Sequence, residues 1–228
     1  MSKSEIVRFL ILRSIGNFLV LFAIFGVVAT FGPVLYYEAL FRTSQLRGVH
    51  YKVFGGILNP SQKAKTTVSF ADILAGPKEQ ILLPKDTEFD ILIPKLGVNE
   101  KIFPNTDPVD KNIFLPILRK GVAHAKGTFF PGHSGNIYIF AHSTDNFWDV
   151  GRYNAVFYLL KDLSPGDDIV IFFQNIRHNY IVEKSKIVES SDVSYITKAR
   201  GEREQLILQT CWPPGTTWNR LLVLARPK

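Results

Sequence analysis

The sequence predicts an all-β domain, a closed barrel or a sandwich, carried behind one N-terminal membrane-spanning helix. Three observations lead there. Residues Ser14 to Tyr37 carry no charge. From Pro84 onward the chain breaks into short runs of β-branched and aromatic residues bounded by turn residues. These runs do not alternate regularly with helical segments, so the strands must bury their faces against one another.

The N-terminal element comes first. "MSKSEIVRFLILR" places Lys3, Arg8 and Arg13 against a single acid, Glu5. At about 1.5 Å per residue the uncharged run 14–37 spans roughly 36 Å, enough to cross a hydrocarbon core of about 30 Å with some tilt. Tyr36 and Tyr37 close the run, where amphipathic rings suit an interface. Arg42 and Arg47 lie just beyond, so charge asymmetry favours a cytoplasmic 1–13 only weakly. A cleavable signal peptide ending at Ala29 is the competing reading, but the apolar run continues past it through "TFGPVLYY". Both readings put the bulk of the chain outside the cytoplasm. The expectation is a single-pass anchor in the cell membrane with an extracytoplasmic domain.

Residues 38–84 mix polar, Gly and Pro positions and read as a stalk, with "VSFADILAG" as one helix candidate. The domain proper is expected over 85–228. Its strand candidates are "EFDILIP", "VNEKIFP", "NIYIFAH", "DDIVIFFQ", "HNYIVEKSKIV", "QLILQTC" and "RLLVLAR". "LSPGDD" marks a turn before Ile169, "NIR" separates the next two runs, and "NAVFYLLKDL" has helical spacing. The net charge of +7 comes from scattered Lys and Arg with no dense basic run, so a nucleic-acid partner is not expected.

Chemistry gathers around the single cysteine, Cys211. An exported domain meets an oxidising compartment, and one cysteine cannot close an intramolecular bridge. A leftover thiol there is an intermolecular link, a reactive group or a small buried hydrophobe. Cys211 ends one predicted strand and Arg220 begins the next, with "WPPGTTWN" between them. If these strands pair as antiparallel neighbours, thiol and guanidinium meet at one rim. His142 closes "NIYIFAH" in the same way. A nearby imidazolium and guanidinium favour the thiolate, and Arg offers fixed donors to a developing oxyanion.

Across 88–228 these residues resemble the sortases, membrane-anchored cysteine transpeptidases of bacterial surfaces. "ILIPKLGVNEKIF" is similar to the family's opening strands, and "GVAHAKGTFFPGHSGNIYIFAHS" to the segment leading to its histidine. "LSPGDDIVI" and "KIVESSDVSYI" have counterparts, and "LILQTCWPPGTTWNRLLVLA" matches the signature in which Thr-Cys ends one strand and Arg begins the next. The resemblance implies an eight-stranded β-barrel with short helices. It implies that Cys211 attacks a C-terminal sorting signal of the LPXTG type and forms a thioester. An amine from a peptidoglycan precursor or a pilin lysine then resolves that thioester. His142 becomes the general acid and base, Arg220 the orienting and oxyanion-supporting group, and Thr210 an adjacent contributor. Trp212 and His124 join Thr210 as candidate substrate-binding residues, with His124 either rimming the cleft or holding a loop. No cofactor and no metal are implied. Ala141, Ser143, Gln209 and Trp212 differ from the family's usual residues, and the stalk lacks the Asp-Pro-aromatic lid of many pilin-polymerising members. A housekeeping or specialised anchoring role follows from that difference.

Two other classes stay open. An L,D-transpeptidase would carry a Ser-His-Gly-Cys signature, which is absent here. A membrane-tethered, non-catalytic β-domain binding cell-wall polymer would not need His, Cys and Arg together. The regular spacing of His124, His133 and His142 is not a local ligand spacing, and no acidic or thiol cluster accompanies it.

Overall fold

The computed structural model describes residues 3–53, 79–142, 157–214 and 216–228. Helix α1 runs without a break from Lys3 to Leu46. Its stretch Ser4–Val28 is apolar, long enough to cross a membrane and unburied by the rest of the chain. The helix therefore begins before the expected 14–37 span and outlasts it. The helix candidate "VSFADILAG" lies outside the described residues.

The last turns of α1 dock on the domain. Phe41 packs against the main core, and Glu38 accepts from Lys161 Nζ at 3.0 Å and from Arg42 Nε at 2.9 Å. Gln45 Nε2 reaches the Lys95 carbonyl at 3.5 Å. Strands β1 (His50–Val53) and β2 (Glu79–Leu82) then pair in parallel as a separate two-stranded sheet. Tyr51 of β1 lies on Gly97, where an added Cβ would meet the ring at 3.2 Å. Gly97 also has φ +65, so the position excludes a side chain on two grounds.

The domain is a closed barrel. Its strands are β3 (Phe89–Ile93), β4 (Val98–Thr106), β5 (Val122–Ala125), β6 (Gly135–Phe140), β7 (Asp168–Phe173), β8 (Ile176–Glu189), β9 (Glu204–Trp212) and β10 (Asn219–Pro227). They pair in the order β10-β8-β7-β3-β4-β5-β6-β9, and β9 closes on β10. Closure removes the free edges that a short antiparallel sheet would otherwise present. Seven of these strands coincide with the seven predicted runs; β5, "VAHA", was not among them. The turn between β7 and β8 uses Gln174 and Asn175 at φ 50 and 64, the left-handed pair that suits the twist of a tight hairpin.

Two neighbours are parallel, β4 with β5 and β6 with β9. A parallel pair needs a crossover, and between β4 and β5 it carries helix α2 (Lys111–Leu118), which the sequence reading did not identify. Asp110 starts α2 by accepting from the Asn112 amide at 2.9 Å. "NAVFYLLKDL" contains a short 3₁₀ turn, Tyr158–Asp162. Strand alternation fills the interior with Ile91, Ile137, Ile139, Ile171, Leu206, Leu208 and Val223, all without exposed surface. The opposite faces of β3 and β7 present Leu92, Val170 and Phe172, which form a second cluster with Val53 of β1 and Leu82 of β2 against it. The β1–β2 pair thus covers a patch of outer barrel wall.

Candidate active site

The site is built by two registers that meet at Cys211. Across the antiparallel β9–β10 ladder, Arg220 is the direct partner of Cys211 and Asn219 that of Trp212. Directly opposed residues project from the same face, so thiol and guanidinium are brought together by the hairpin itself. Arg220 Nη1 lies 3.6 Å from Cys211 Sγ, and it also reaches the carbonyl oxygens of Thr217 at 3.2 Å and Asn219 at 3.1 Å. The loop is folded back by Thr216, whose amide and hydroxyl both donate to the Pro213 carbonyl at 3.0 and 2.8 Å.

On the other flank, the parallel β6–β9 register pairs Gly135 with Glu204 and Phe140 with Gln209. It persists beyond the strand, since the Ala141 amide donates to the Gln209 carbonyl at 3.1 Å. His142 follows Ala141, one residue beyond this last ladder contact. His142 is half-buried and lies two residues past the strand, rather than at its last position as the sequence suggested. Gln209, two residues before Cys211, is thus bonded to the chain that leads into His142, while Arg220 pairs with Cys211 on the other side.

The electrostatics at the thiol pull in opposite directions. Burial pushes the Cys211 thiol up from its ordinary value, and the Arg220 charge draws it back in part. Arg220 thus offsets some of the cost of forming a thiolate in a half-buried place.

The remaining sequence candidates are placed elsewhere. Thr210 alternates to the barrel interior with 1% exposure, and its Oγ1 has no partner among the described residues. Trp212 falls on that same side of β9 and packs half-buried against the core. His124 does not rim a cleft. It has no exposed surface, Nδ1 accepts from the Asn105 amide at 3.4 Å, and Nε2 therefore carries the proton. Nε2 lies 2.9 Å from the Phe129 carbonyl and 3.0 Å from Thr128 Oγ1, while the ring stacks on Phe130 at 4.4 Å. Burial pushes the His124 imidazole down, which keeps it neutral in this loop-holding role. Trp218 is 72% exposed and His133 is exposed. No three potential ligands gather into a metal cluster among the described residues.

The outer face of β6, β9 and β10 contributes further groups beside Gln209, which the sequence already marks as unusual. Tyr138, Phe140, Gln209 and Leu222 share that face with Cys211 and Arg220 by register. Tyr138 hydroxyl donates to Gln209 Oε1 at 3.5 Å. Phe114 of α2 meets Phe140 edge-on at 6.1 Å, and α3 (Ser194–Thr197) is tied alongside by Asn136 Nδ2 to the Tyr195 carbonyl at 3.0 Å.

With this geometry in view, the comparison with known proteins is specific. The family model described as "Sortase domain" matches residues 91–228, more than half of the chain. The chain belongs to the sortase family. It is 32% identical over 121 residues to sortase D of Bacillus subtilis (strain 168), a match covering 53% of this chain and 52% of that one. The chain thus spans about half the length of the curated relative it matches. Among solved structures, sortase A from Corynebacterium diphtheriae aligns with a TM-score of 0.52 and 23% identity over 86% of this chain and 84% of that one. Sortase C1 from Streptococcus suis aligns with a TM-score of 0.51 and 22% identity over 62% and 74% of the two chains. These likenesses show the fold, an eight-stranded closed barrel with an added N-terminal apolar helix. They span differently lettered sortases and leave the subclass unresolved.

Proposed function

We propose that this sortase is a membrane-anchored cysteine transpeptidase with Cys211 as nucleophile, His142 as general acid and base, and Arg220 as the group that orients substrate and supports the oxyanion. The observation that carries the reading is the 3.6 Å approach of Arg220 Nη1 to Cys211 Sγ, with His142 two residues past the end of the neighbouring strand β6. The substrate is the C-terminal sorting signal of a surface protein, of the LPXTG type. The Cys211 thiol passes its proton to His142 as its sulfur attacks the scissile carbonyl carbon, and the resulting oxyanion faces the Arg220 donors. The C–N bond then breaks, the leaving amine takes a proton from His142, and a thioester remains. An acceptor amine, from a peptidoglycan precursor or a pilin lysine, attacks that thioester and gives its proton back to His142. A new amide forms and the sulfur is released. The anchor α1 keeps the barrel on the extracytoplasmic side of the cell membrane, where both partners are found.

The test uses the full chain in detergent with a fluorescent LPXTG-type peptide, followed by intact-mass measurement. The expected result is an acyl adduct on the wild type that hydroxylamine removes, and no adduct on Cys211→Ala with its melting temperature preserved. A wild type that forms no adduct and resists thiol reagents would show Cys211 to be a packing residue.

A further inference from the structure

Strand β1 pairs in parallel with β2, and among the described residues no strand adjoins its other edge. A cavity of about 510 Å³ lies against β1 and the outer wall of β7 and β8. Its lining takes three consecutive residues of β1, Tyr51, Lys52 and Val53. Successive side chains of a strand point to opposite faces, so three in a row meet one cavity only along the strand's edge. No residue of β2 lines the cavity, so this is the edge away from β2. Tyr51 and Val53 turn toward the barrel, onto Gly97 and the Leu92 cluster, and alternation sets Lys52 on the outer side. Across the cavity the backbones of β7 and β8 are already laddered to β3, to each other and to β10. That wall contributes side chains instead. Arg177 Nε donates to Asn179 Oδ1 at 2.8 Å, and Lys228 Nζ donates to Asp168 Oδ1 at 2.9 Å. The lining thus sets three cations, Lys52, Arg177 and Lys228, against a single carboxylate, Asp168.

We infer that this edge of β1 is a docking site for an acidic, extended segment of another protein, which adds a third strand to the β1–β2 sheet and fills the cavity. A strand edge without a neighbour is a template for pairing, and an added strand takes main-chain hydrogen bonds from it while its alternate side chains meet the surface beneath. The cavity has the size of small-ligand pockets, about 300–1,000 Å³, which suits a few residues of strand rather than a folded domain. Charge selects among extended segments. Carboxylates on either side of the segment come within reach of a cation, since Lys52 stands on the outer side of β1 and Arg177 rises from the wall. A second copy of β1 is disfavoured, because its own Lys52 would meet these like charges. The lining contains none of Cys211, Arg220 and His142, so the docked segment leaves the nucleophile open to its substrate.

The experiment is fluorescence anisotropy of the full chain in a neutral detergent with three labelled hexapeptides. One alternates Glu and Val, one alternates Lys and Val, and one alternates Glu and Pro. The second reverses the charge, and the third keeps the charge but lacks the N–H groups that a ladder needs. The Glu-Val peptide is expected to bind, with the other two weaker by about tenfold or more, the scale of one or two net hydrogen bonds. Lys52→Glu and Arg177→Glu should each weaken the Glu-Val peptide by about tenfold, the scale of one charge-assisted contact, with the melting temperature preserved. Lys52→Gln and Arg177→Gln should act in the same direction by less, and they carry the test if a reversal variant fails to fold. Equal binding of the Glu-Pro peptide would reduce the site to a patch for anions and overturn the added strand. Glu-Val binding that ignores both Lys52 and Arg177 would place the peptide elsewhere and overturn the site. Absence of binding overturns it as well, as does a dimer in light scattering that the Glu-Val peptide fails to dissociate, since another copy would then hold the edge.

Discussion

Arg220 and Cys211 face each other as direct partners across the β9–β10 ladder, with Nη1 3.6 Å from Sγ. The same Nη1 is shared with two loop carbonyls, Thr217 and Asn219. The guanidinium is therefore held by the turn that follows the nucleophile, and its planar fork is fixed in orientation as well as in position.

Arg220→Lys keeps the charge but loses that fork, since an ammonium is a single rotatable group. Removing one oxyanion donor in acyl-transfer enzymes costs about 2.7–4 kcal/mol, roughly a hundred- to a thousand-fold in rate. Single-turnover acylation by the lysine variant is expected to fall on that scale. Near-wild-type acylation would leave Arg220 only an electrostatic role.

Thiol reactivity should follow pH in a defined direction. Burial raises the Cys211 thiol from its ordinary value, about 8.5 in model peptides, and Arg220 only partly opposes it. The thiolate is then a minor species at neutral pH. Alkylation of the full chain by iodoacetamide should climb about tenfold per pH unit from pH 6 to 8 and show no plateau below about pH 8.5. Arg220→Gln should move the curve to higher pH. A plateau below pH 7 would mean that His142 and Arg220 stabilise the thiolate more than burial opposes it.

Much of this arrangement was legible in the sequence because it depends on chain order. Cys211 at the end of one apolar run and Arg220 at the start of the next need only an antiparallel hairpin to meet, and β9–β10 is that hairpin. Strand β5 escaped because "VAHA" is four residues long and lacks the β-branched enrichment of its neighbours. Helix α2 escaped because Pro116 interrupts the helical signal. Tyr138 was missed for a different reason. Its place beside Gln209 depends on the parallel β6–β9 register, which no local pattern encodes. The sequence left His124 either at the cleft rim or holding a loop, and interior alternation on β5 buries it.

Asp90 was also hidden by a covering element. In "EFDILIP" it alternates to the outer barrel face, where an exposed carboxylate is expected, but it has no exposed surface. Oδ2 accepts from the Asp86 amide at 3.1 Å, while Oδ1 has no partner among the described residues. Burial pushes its carboxyl up to about 6, against about 3.9 in an unfolded chain. A raised folded value means that Asp90 contributes stability fully below about pH 4 and loses it as pH rises through about 6. Asp90→Asn should match the wild type in melting temperature near pH 4 and exceed it at pH 7, by about 1–3 kcal/mol in stability. An unchanged gap between the two across this range would show that Asp90 ionises without penalty.

The β1–β2 pair sets a last expectation, which concerns where the folding unit begins. All eight barrel strands lie after Pro84, so a chain starting there retains every ladder of the barrel and should fold. It loses Val53 and Leu82, however, which pack on Leu92, Val170 and Phe172. Fully burying one such side chain is worth about 1.5–3 kcal/mol, and only part of each is uncovered here, so the expected loss is about 2–4 kcal/mol. For a domain of this size that lowers the melting point by roughly 5–15 °C. The proper comparison is a chain starting at His50, which also lacks the anchor but keeps β1 and β2. The shorter chain should melt lower and bind more of an apolar dye, while acylation of a sorting peptide is retained because Cys211, Arg220 and His142 sit on β9, β10 and the end of β6. Equal melting points would show that β1 and β2 rest on the wall without stabilising it, and loss of acylation in the shorter chain alone would extend the working unit back to His50.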